Sequence, residues 1–308
     1  MEKRKLGHSD LEVSTLGLGC MSLGTDEKKA VKIIEAAIDE GVNYFDTADL
    51  YDYGVNEKII GHTLSQKRDQ VIIATKVGNR WGKEKNGWEW DPSKAYIKKA
   101  VKDSLHRLNT DYIDLYQLHG GTIDDPFEDT IEAFEELRTE GLIKHYGISS
   151  IRPNVIHKFV KDSSIISVMI QYSLLDRRPE KILGLLKENN ISAVTRGSVA
   201  RGILSDKMLE MIDTDNFPEQ KYLDYSSLDI KDLLKSIKEK MRMGPRTLNE
   251  IALQFNLANE AVAAVVTGAS SVEQLQDNAR AVCASPLTNE ELAFLKMITK
   301  SKTYTEHL

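Results

Sequence analysis

The chain has 308 residues, 41% of them hydrophobic and 29% charged, a composition that supports a large core and excludes a disordered polymer. A formal net charge of −6 argues against nucleic acid and against an anionic membrane surface as partners. Two cysteines, Cys20 and Cys283, make no disulfide framework, so the cytoplasm is the expected compartment.

The opening MEKRKLGHSD carries no apolar run after its basic residues, unlike a secretory signal. No apolar stretch approaches the roughly 18–20 residues that cross a bilayer. Two short apolar-containing runs around Gly7-His8-Ser9-Asp10, within 3–13, predict a hairpin. Apolar spacing then predicts a strand at 16–19 and a helix over 28–39 through Ala30, Ile33, Ile34, Ala37 and Ile38. A strand at 42–45, a helix from about 56 to 64 and a strand at 71–76 follow. Next come a helix over 92–108 opened by Pro92, a strand at 112–119, and a helix over 127–139 stopped by Gly141. In the second half, strands are predicted at 143–148, 166–171, 191–195 and 261–266. Helices there begin near Pro153 and cover 180–187, 228–241, 248–255 and 272–282, the last element expected.

Eight strands alternating with helices, without a break in composition, predict an α/β chain folded as one (β/α)8 barrel over residues 1–308. Two doubly wound domains would need fewer strands per sheet and a linker. The long segments 78–91 and 198–227 are expected to cover the carboxyl-terminal mouth of the barrel, with the hairpin capping the opposite end.

In such barrels the functional groups stand at the carboxyl ends of strands. Asp46, Lys76 and His119 fall at the ends of strands two, three and four, and Tyr51 lies in the loop after Asp46, able to fold back over the mouth. A free tyrosine titrates near 10, too high to donate a proton readily at neutral pH. A neighbouring ammonium favours the phenolate, and a carboxylate beyond it keeps the lysine charged and oriented. His119 is then placed to orient a carbonyl oxygen or relay a proton. Each of these residues alone has an ordinary structural role; their recurrence at consecutive strand ends is what points to carbonyl reduction. Trp81, Trp88 and Trp90 in the first long loop, with Met21, Tyr51 and Tyr53, would give an apolar substrate lining. The scattered histidines and absent Cys-x2-Cys spacing give no metal site, and Gly17 and Gly19 do not form a G-x-G-x-x-G motif.

These motifs resemble the aldo-keto reductases, NAD(P)H-dependent barrel enzymes that reduce aldehydes and ketones. The resemblance rests on Asn43-Tyr-Phe-Asp-Thr-Ala-Asp-Leu-Tyr51 with Gly54 and Asn56-Glu57, on Ile73-Ala-Thr-Lys76, and on the run from Ser104 to His119. It implies Tyr51 as general acid, Lys76 and Asp46 as its tuning pair, and His119 as the substrate-orienting group. Tyr51, His119, Met21, Trp81 and Trp88 would line the substrate pocket. On the cofactor side it implies Gly19, Cys20, Met21 and Asp46 as cofactor-binding residues, with Ser149 and Gln171 at the nicotinamide amide and Ser150 where relatives often carry Asn. Arg196 stands where relatives stack an aromatic ring, and Ser198 where a proline is common. Gly197, Ser198, Val199 and Arg201, with Lys207 behind them, would cradle the pyrophosphate. Gly268, Ser270, Gln274, Asp277 and Asn278 would surround the adenosine 2′-phosphate and adenine at a helix start, where backbone amides favour phosphate. No Arg or Lys occurs at 268–274, so NADPH is expected with Lys207 supplying charge, and NADH is the alternative.

The same resemblance admits a cofactor-sensing subunit of the kind that binds voltage-gated potassium channels, against which His119 weighs. A Schiff-base lyase using Lys76 is disfavoured by Asp46, which keeps the amine protonated. The substrate and the oligomeric state are not legible in the sequence.

Overall fold

The computed structural model describes residues 1–307 apart from 83, 85, 215, 216 and 242–245. At the amino terminus β1 (Lys3–Lys5) and β2 (Glu12–Ser14) pair antiparallel, with Arg4 opposite Val13. The chain then enters β3 (Leu16–Gly19), β4 (Tyr44–Asp46) and β5 (Ile72–Val77). A two-stranded ribbon, β6 (Asn79–Arg80) with β7 (Glu89–Trp90), interrupts the series. It resumes with β8 (Ile113–Leu118), β9 (Ile143–Ser149), β10 (Ser167–Gln171), β11 (Ser192–Arg196) and β12 (Val262–Gly268). The eight strands β3, β4, β5, β8, β9, β10, β11 and β12 pair in parallel in that order, and β12 returns to β3 to close the barrel. This is the expected (β/α)8 architecture.

The helices are α1 (Glu27–Asp39), α2 (Val55–Leu64), α3 (Lys94–Leu108), α4 (Phe127–Thr139), α5 (Pro153–Asp162), α6 (Glu180–Glu188), α7 (Asp206–Met211), α8 (Ser227–Met241), α9 (Leu248–Leu257), α10 (Val272–Cys283) and α11 (Asn289–Ile298). Three details differ from the sequence expectation. Helix α3 opens after Ser93, whose side chain accepts from the Tyr96 amide, so Pro92 lies outside the helix. Helix α7 forms inside a segment expected to be loop. Helix α11 follows the predicted last helix: Thr288 and Glu291 form a reciprocal capping box, yet only Leu295 on it is buried. Its apolar stripe is therefore thin, and periodicity alone does not find it.

Two apolar layers hold the barrel. Inside it, Tyr44, Ile72, Ala74, Leu115, Met169, Val194 and Ala264 meet Leu6, Leu11 and Val13, so the amino-terminal hairpin plugs the end opposite the strand carboxyl termini. Gly7 at the hairpin tip has φ +58, and its amide donates to Ser192 Oγ at 2.8 Å. A Cβ at Gly7 would sit 2.2 Å from the Ile166 carbonyl oxygen, so only glycine fits there. A second, larger layer lies between the strands and the helices.

One crossing in that outer layer has no slack. A Cβ on Gly61 of α2 would lie 2.3 Å from the carbonyl carbon and oxygen of Leu108 at the end of α3. Backbone cannot yield as a side-chain tip does. Gly61→Ala is therefore expected to lower unfolding free energy by about 3 kcal/mol, although alanine is the better helix former by about 1 kcal/mol. Urea denaturation checks this; an unchanged or raised midpoint contradicts the tight crossing.

Candidate active site

The carboxyl ends of β4, β5 and β8 converge on one buried ammonium. Lys76 Nζ donates to Asp46 Oδ1 at 2.5 Å, to the Thr47 carbonyl at 2.7 Å and to Tyr51 Oη at 3.2 Å. Those three acceptors use all three of its N–H groups. An ammonium cannot accept, so the phenol oxygen is the acceptor in the third bond. The Tyr51 hydrogen is thus left free to point away from Lys76. The second Asp46 oxygen accepts from Gln117 Nε2 at 3.2 Å.

The loop carrying Tyr51 is tied down by the residues that follow it. Thr47 donates its backbone amide to Ala74 O at 2.8 Å and its hydroxyl to Asn56 Oδ1 at 2.7 Å. Asn56 Nδ2 in turn donates to Cys20 O at 2.8 Å. Glu57, fully buried, accepts from Thr75 Oγ1 and from Arg107 Nε, both at 2.6 Å. After Tyr51 the backbone turns left-handed through Asp52 (φ 48), Tyr53 (φ 52) and Gly54 (φ 82) before entering α2. The Asn56-Glu57 pair therefore acts as an anchor for this loop.

Electrostatics follow from burial and pairing. Burial works against the charge on Lys76, but the Asp46 carboxylate and the Tyr51 oxygen outweigh it and hold the ammonium above its ordinary value. Burial lifts the Asp46 carboxyl, while Lys76 and Gln117 pull the other way. His119 stands edge-on to Tyr51, ring centroids 5.9 Å apart at 84°. Burial first, then Lys76 and Arg196, pushes the imidazole down to about 3, and its Nδ1 is buried without a partner. His119 is therefore neutral in the working range.

The linkage sign is definite. Between about 3 and the ordinary histidine value of about 6.5, the unfolded chain binds this proton and the folded chain does not. Stability from His119 is thus lost as pH falls through that window. Wild type is expected to lose up to about 1.4 kcal/mol more per pH unit than His119→Gln there. Denaturation midpoints measured from pH 7 to 4 test this, and parallel curves contradict it.

Around this centre lies a cavity of about 530 Å³ lined by Gly19, Met21, Asp46, Tyr51, His119, Ser149, Arg196, Gly197 and Gly268. A neighbouring arm of about 370 Å³ shares His119, Ser149 and Arg196 with it and is lined also by Ser150 and Trp88. A second cavity of about 400 Å³ shares Gly268 with the first and is lined by Val199, Lys207, Gln274, Asp277 and Asn278. Among the remaining expected residues, Gln171 accepts from Arg196 Nη1 at 3.1 Å, and Ser198 is buried with its hydroxyl unpartnered. Arg201 is exposed on a left-handed turn (φ 58) and lines neither cavity. Ser270 is exposed, its amide donating to Gln274 Oε1 at 2.8 Å.

Besides Arg201, two residues sit elsewhere than expected. The Cys20 thiol is buried and donates to the Leu18 carbonyl, so it lies in the barrel wall rather than the cavity lining; burial also pushes this thiol well up, away from thiolate chemistry. Trp81 packs edge-on against Tyr53 with the Arg107 guanidinium over its ring, and its Nε1 donates to Asp49 O at 3.0 Å. It borders a separate cavity beside α3, while Trp90 takes a place in the arm next to His119.

Some contributors were not singled out in the sequence. Gln117 is two residues before His119, and strand alternation puts both on the inner face. Arg280 lines the second cavity and pairs with Asp277, three residues earlier on α10, a spacing that shares a helix face. Arg107 acts through the loop by way of Glu57, which with Asn56 belongs to the motif read in the sequence. Basic Lys207 and Arg280 with the start of α10 at one end, and Ser149, Gln171 and the unpartnered Ser198 hydroxyl toward the other, form a donor set that fits a nicotinamide dinucleotide. Among the described residues no cluster of His, Cys, Asp and Glu could hold a metal ion, and no helix is long and apolar enough to cross a membrane.

Comparison with known proteins agrees with this arrangement. Residues 15–300 match the family model described as the aldo/keto reductase family. The chain is 54% identical over 308 residues to the "uncharacterized oxidoreductase YqkF" of Bacillus subtilis (strain 168), covering 100% of this chain and 99% of that one. Among solved structures, the holo form of aldo-keto reductase AKR11C1 from Bacillus halodurans superposes with a TM-score of 0.93 at 54% identity, covering 100% of this chain and 99% of that one. The glycerol dehydrogenase AKR11B4 from Gluconobacter oxydans gives a TM-score of 0.84 at 25% identity, with 96% and 94% covered. The chain belongs to the aldo/keto reductase family and is an NAD(P)H-dependent oxidoreductase.

Proposed function

We propose that this protein reduces aldehydes or ketones to alcohols with NADPH, using Tyr51 as the general acid. The observation that carries the reading is the Lys76 fork, which donates to Tyr51 Oη at 3.2 Å while being held by Asp46 at 2.5 Å. Its polarity leaves the phenol hydrogen directed away from the amine, where a carbonyl oxygen would receive it. Lys76 faces the phenolate left after transfer with a fixed positive charge in a water-poor site. Asp46 keeps that amine charged and aimed, and Gln117 fixes Asp46. Neutral His119 orients the carbonyl oxygen without competing as a cation, and Met21 and Trp88 complete the substrate lining. When bound, the reduced nicotinamide supplies the hydride to the carbonyl carbon.

In this reading Gly19, Met21, Arg196 and Gly197 flank the nicotinamide, with Ser149, Ser150 and Gln171 holding its amide. Ser198 and Val199, with Lys207, take the pyrophosphate, and Arg201, exposed outside both cavities, has no part in it. Gly268, Ser270, Gln274, Asp277 and Asn278 take the adenosine end. We place the enzyme in the cytoplasm on its free cysteines, Cys20 and Cys283.

Lys207 and Arg280 supply the charge for a 2′-phosphate that residues 268–274 lack. NADPH is expected to bind at least about tenfold more tightly than NADH, as charge-assisted hydrogen bonds warrant. Arg280→Ala and Lys207→Ala should erode that difference chiefly on the NADPH side. Fluorescence titration with both cofactors, followed by NADPH oxidation with a panel of small carbonyls, tests the proposal. Equal affinities would overturn the cofactor assignment, and an inert panel would overturn the reductase reading.

A further inference from the structure

Two arginines have no essential part in the proton chemistry above, yet both line a space next to the reacting position. Arg152 follows β9, and Arg196 ends β11; both line the arm of the cavity that runs from His119 to Trp88 and Trp90. His119, Ser149 and Arg196 also line the main cavity beside Tyr51, so the arm borders the cavity that holds the phenol. Among the described residues neither arginine is in an ion pair: Arg152 Nη1 donates to the Gly121 carbonyl, and Arg196 Nη1 to Gln171 Oε1 at 3.1 Å. The contrast with neighbouring Arg178, held by Asp176 at 2.8 Å, is direct.

No aspartate or glutamate lines the arm. The nearby Asp125 has its oxygens on Trp90 Nε1 at 2.8 Å and on Thr122. Beyond Arg152 a separate cavity holds Glu306 and also Asp224, which is paired with Lys302 at 2.6 Å. Lys76 and Asp46 cancel each other, and His119 adds no charge. Two cations thus face a space walled by tryptophan.

We infer that this site selects carbonyl compounds with a carboxylate at the far end, the apolar chain lying on Trp88 and Trp90 and the carboxylate meeting Arg152 and Arg196. The inference rests on the reductase reading. A planar guanidinium matches a carboxylate with paired donors, which suits Arg better than Lys here. A phosphate shares the charge, and the test separates the two.

With saturating NADPH, kcat/KM for 4-oxobutanoate is expected to exceed that for butanal by about tenfold or more, carried by KM. The advantage should shrink as salt is raised. Arg152→Gln, which lies outside the cofactor contacts, should pull the ratio toward one, with the butanal rate reporting whether the variant is folded. Independently of turnover, butanedioate should quench tryptophan fluorescence of the NADP⁺-loaded protein saturably, and less in Arg152→Gln. Equal or better use of butanal by wild type, a ratio unmoved in Arg152→Gln, or no saturable quenching overturns the inference. A larger preference for glyceraldehyde 3-phosphate over glyceraldehyde than for the carboxylate pair overturns the carboxylate assignment. If butanedioate binds but no aldehyde oxidises NADPH, the carboxylate site stands and the reductase reading falls.

Discussion

Tyr51→Phe is expected to lower kcat for carbonyl reduction by about 10²–10⁴-fold, the range a positioned general acid contributes, while NADPH affinity moves less than about twofold. The substitution keeps the ring that sits edge-on to His119 and beneath the Lys76 ammonium, 4.8 Å from Nζ to the ring centroid. It removes only the oxygen that accepts from Lys76 and holds the transferable hydrogen. Shape and cofactor contacts are therefore conserved, and the loss is chemical. A packing role for Tyr51 makes the opposite prediction: unfolding free energy would fall and turnover would persist in the folded fraction. Single-turnover rates with denaturation curves separate the two, and near-wild-type turnover removes Tyr51 from the acid role.

The barrel was legible because its strands are short apolar runs set between helices with clear periodicity, and each polar strand end stood out against them. Asp46, Lys76 and His119 were visible for that reason. What the sequence hid was the side of each loop that faces inward. Trp81, Trp88 and Trp90 look alike in one long segment, yet Trp81 finds the Asp49 carbonyl and Trp90 finds Asp125, on different cavities. Those partners are distant in sequence, so no local pattern announces them. Cys20 follows a strand as a lining residue would, but its thiol turns back to its own strand at Leu18 O. Gln117 was hidden for a different reason. It sits within a run otherwise read as core, and its polarity has meaning only once Asp46 is opposite. Arg152 needed the arm itself: its guanidinium matters because Trp88, Trp90 and Arg196 border the same space.

Removing the lysine is expected to expose both halves of its role. Lys76→Met leaves Asp46, 3% exposed, without its cation partner and with only the Gln117 bond. Breaking a buried pair from one side costs about 3–5 kcal/mol. Burial already lifts the Asp46 carboxyl, and Lys76 is the largest force opposing that lift. In the variant the folded carboxyl therefore holds its proton to higher pH than the unfolded one, which releases it near 3.9. The folded state then binds more protons above that value, so this contribution weakens as pH rises. The variant's stability deficit relative to wild type, which shares the His119 dependence, should therefore be smaller at pH 5 than at pH 7. Adding Asp46→Asn removes the charge and most of the penalty, since a neutral pair in place of a buried ion pair is close to neutral in free energy. Catalysis should not return with stability. Tyr51 still lacks the ammonium opposite its oxygen, so kcat is expected to stay about 10²–10³-fold below wild type in the double variant. Unfolding free energies at the two pH values, set beside kcat for the single and double variants, read the two roles separately. Recovery of activity along with stability would mean that Lys76 serves only to neutralise Asp46 and has no part in the proton transfer.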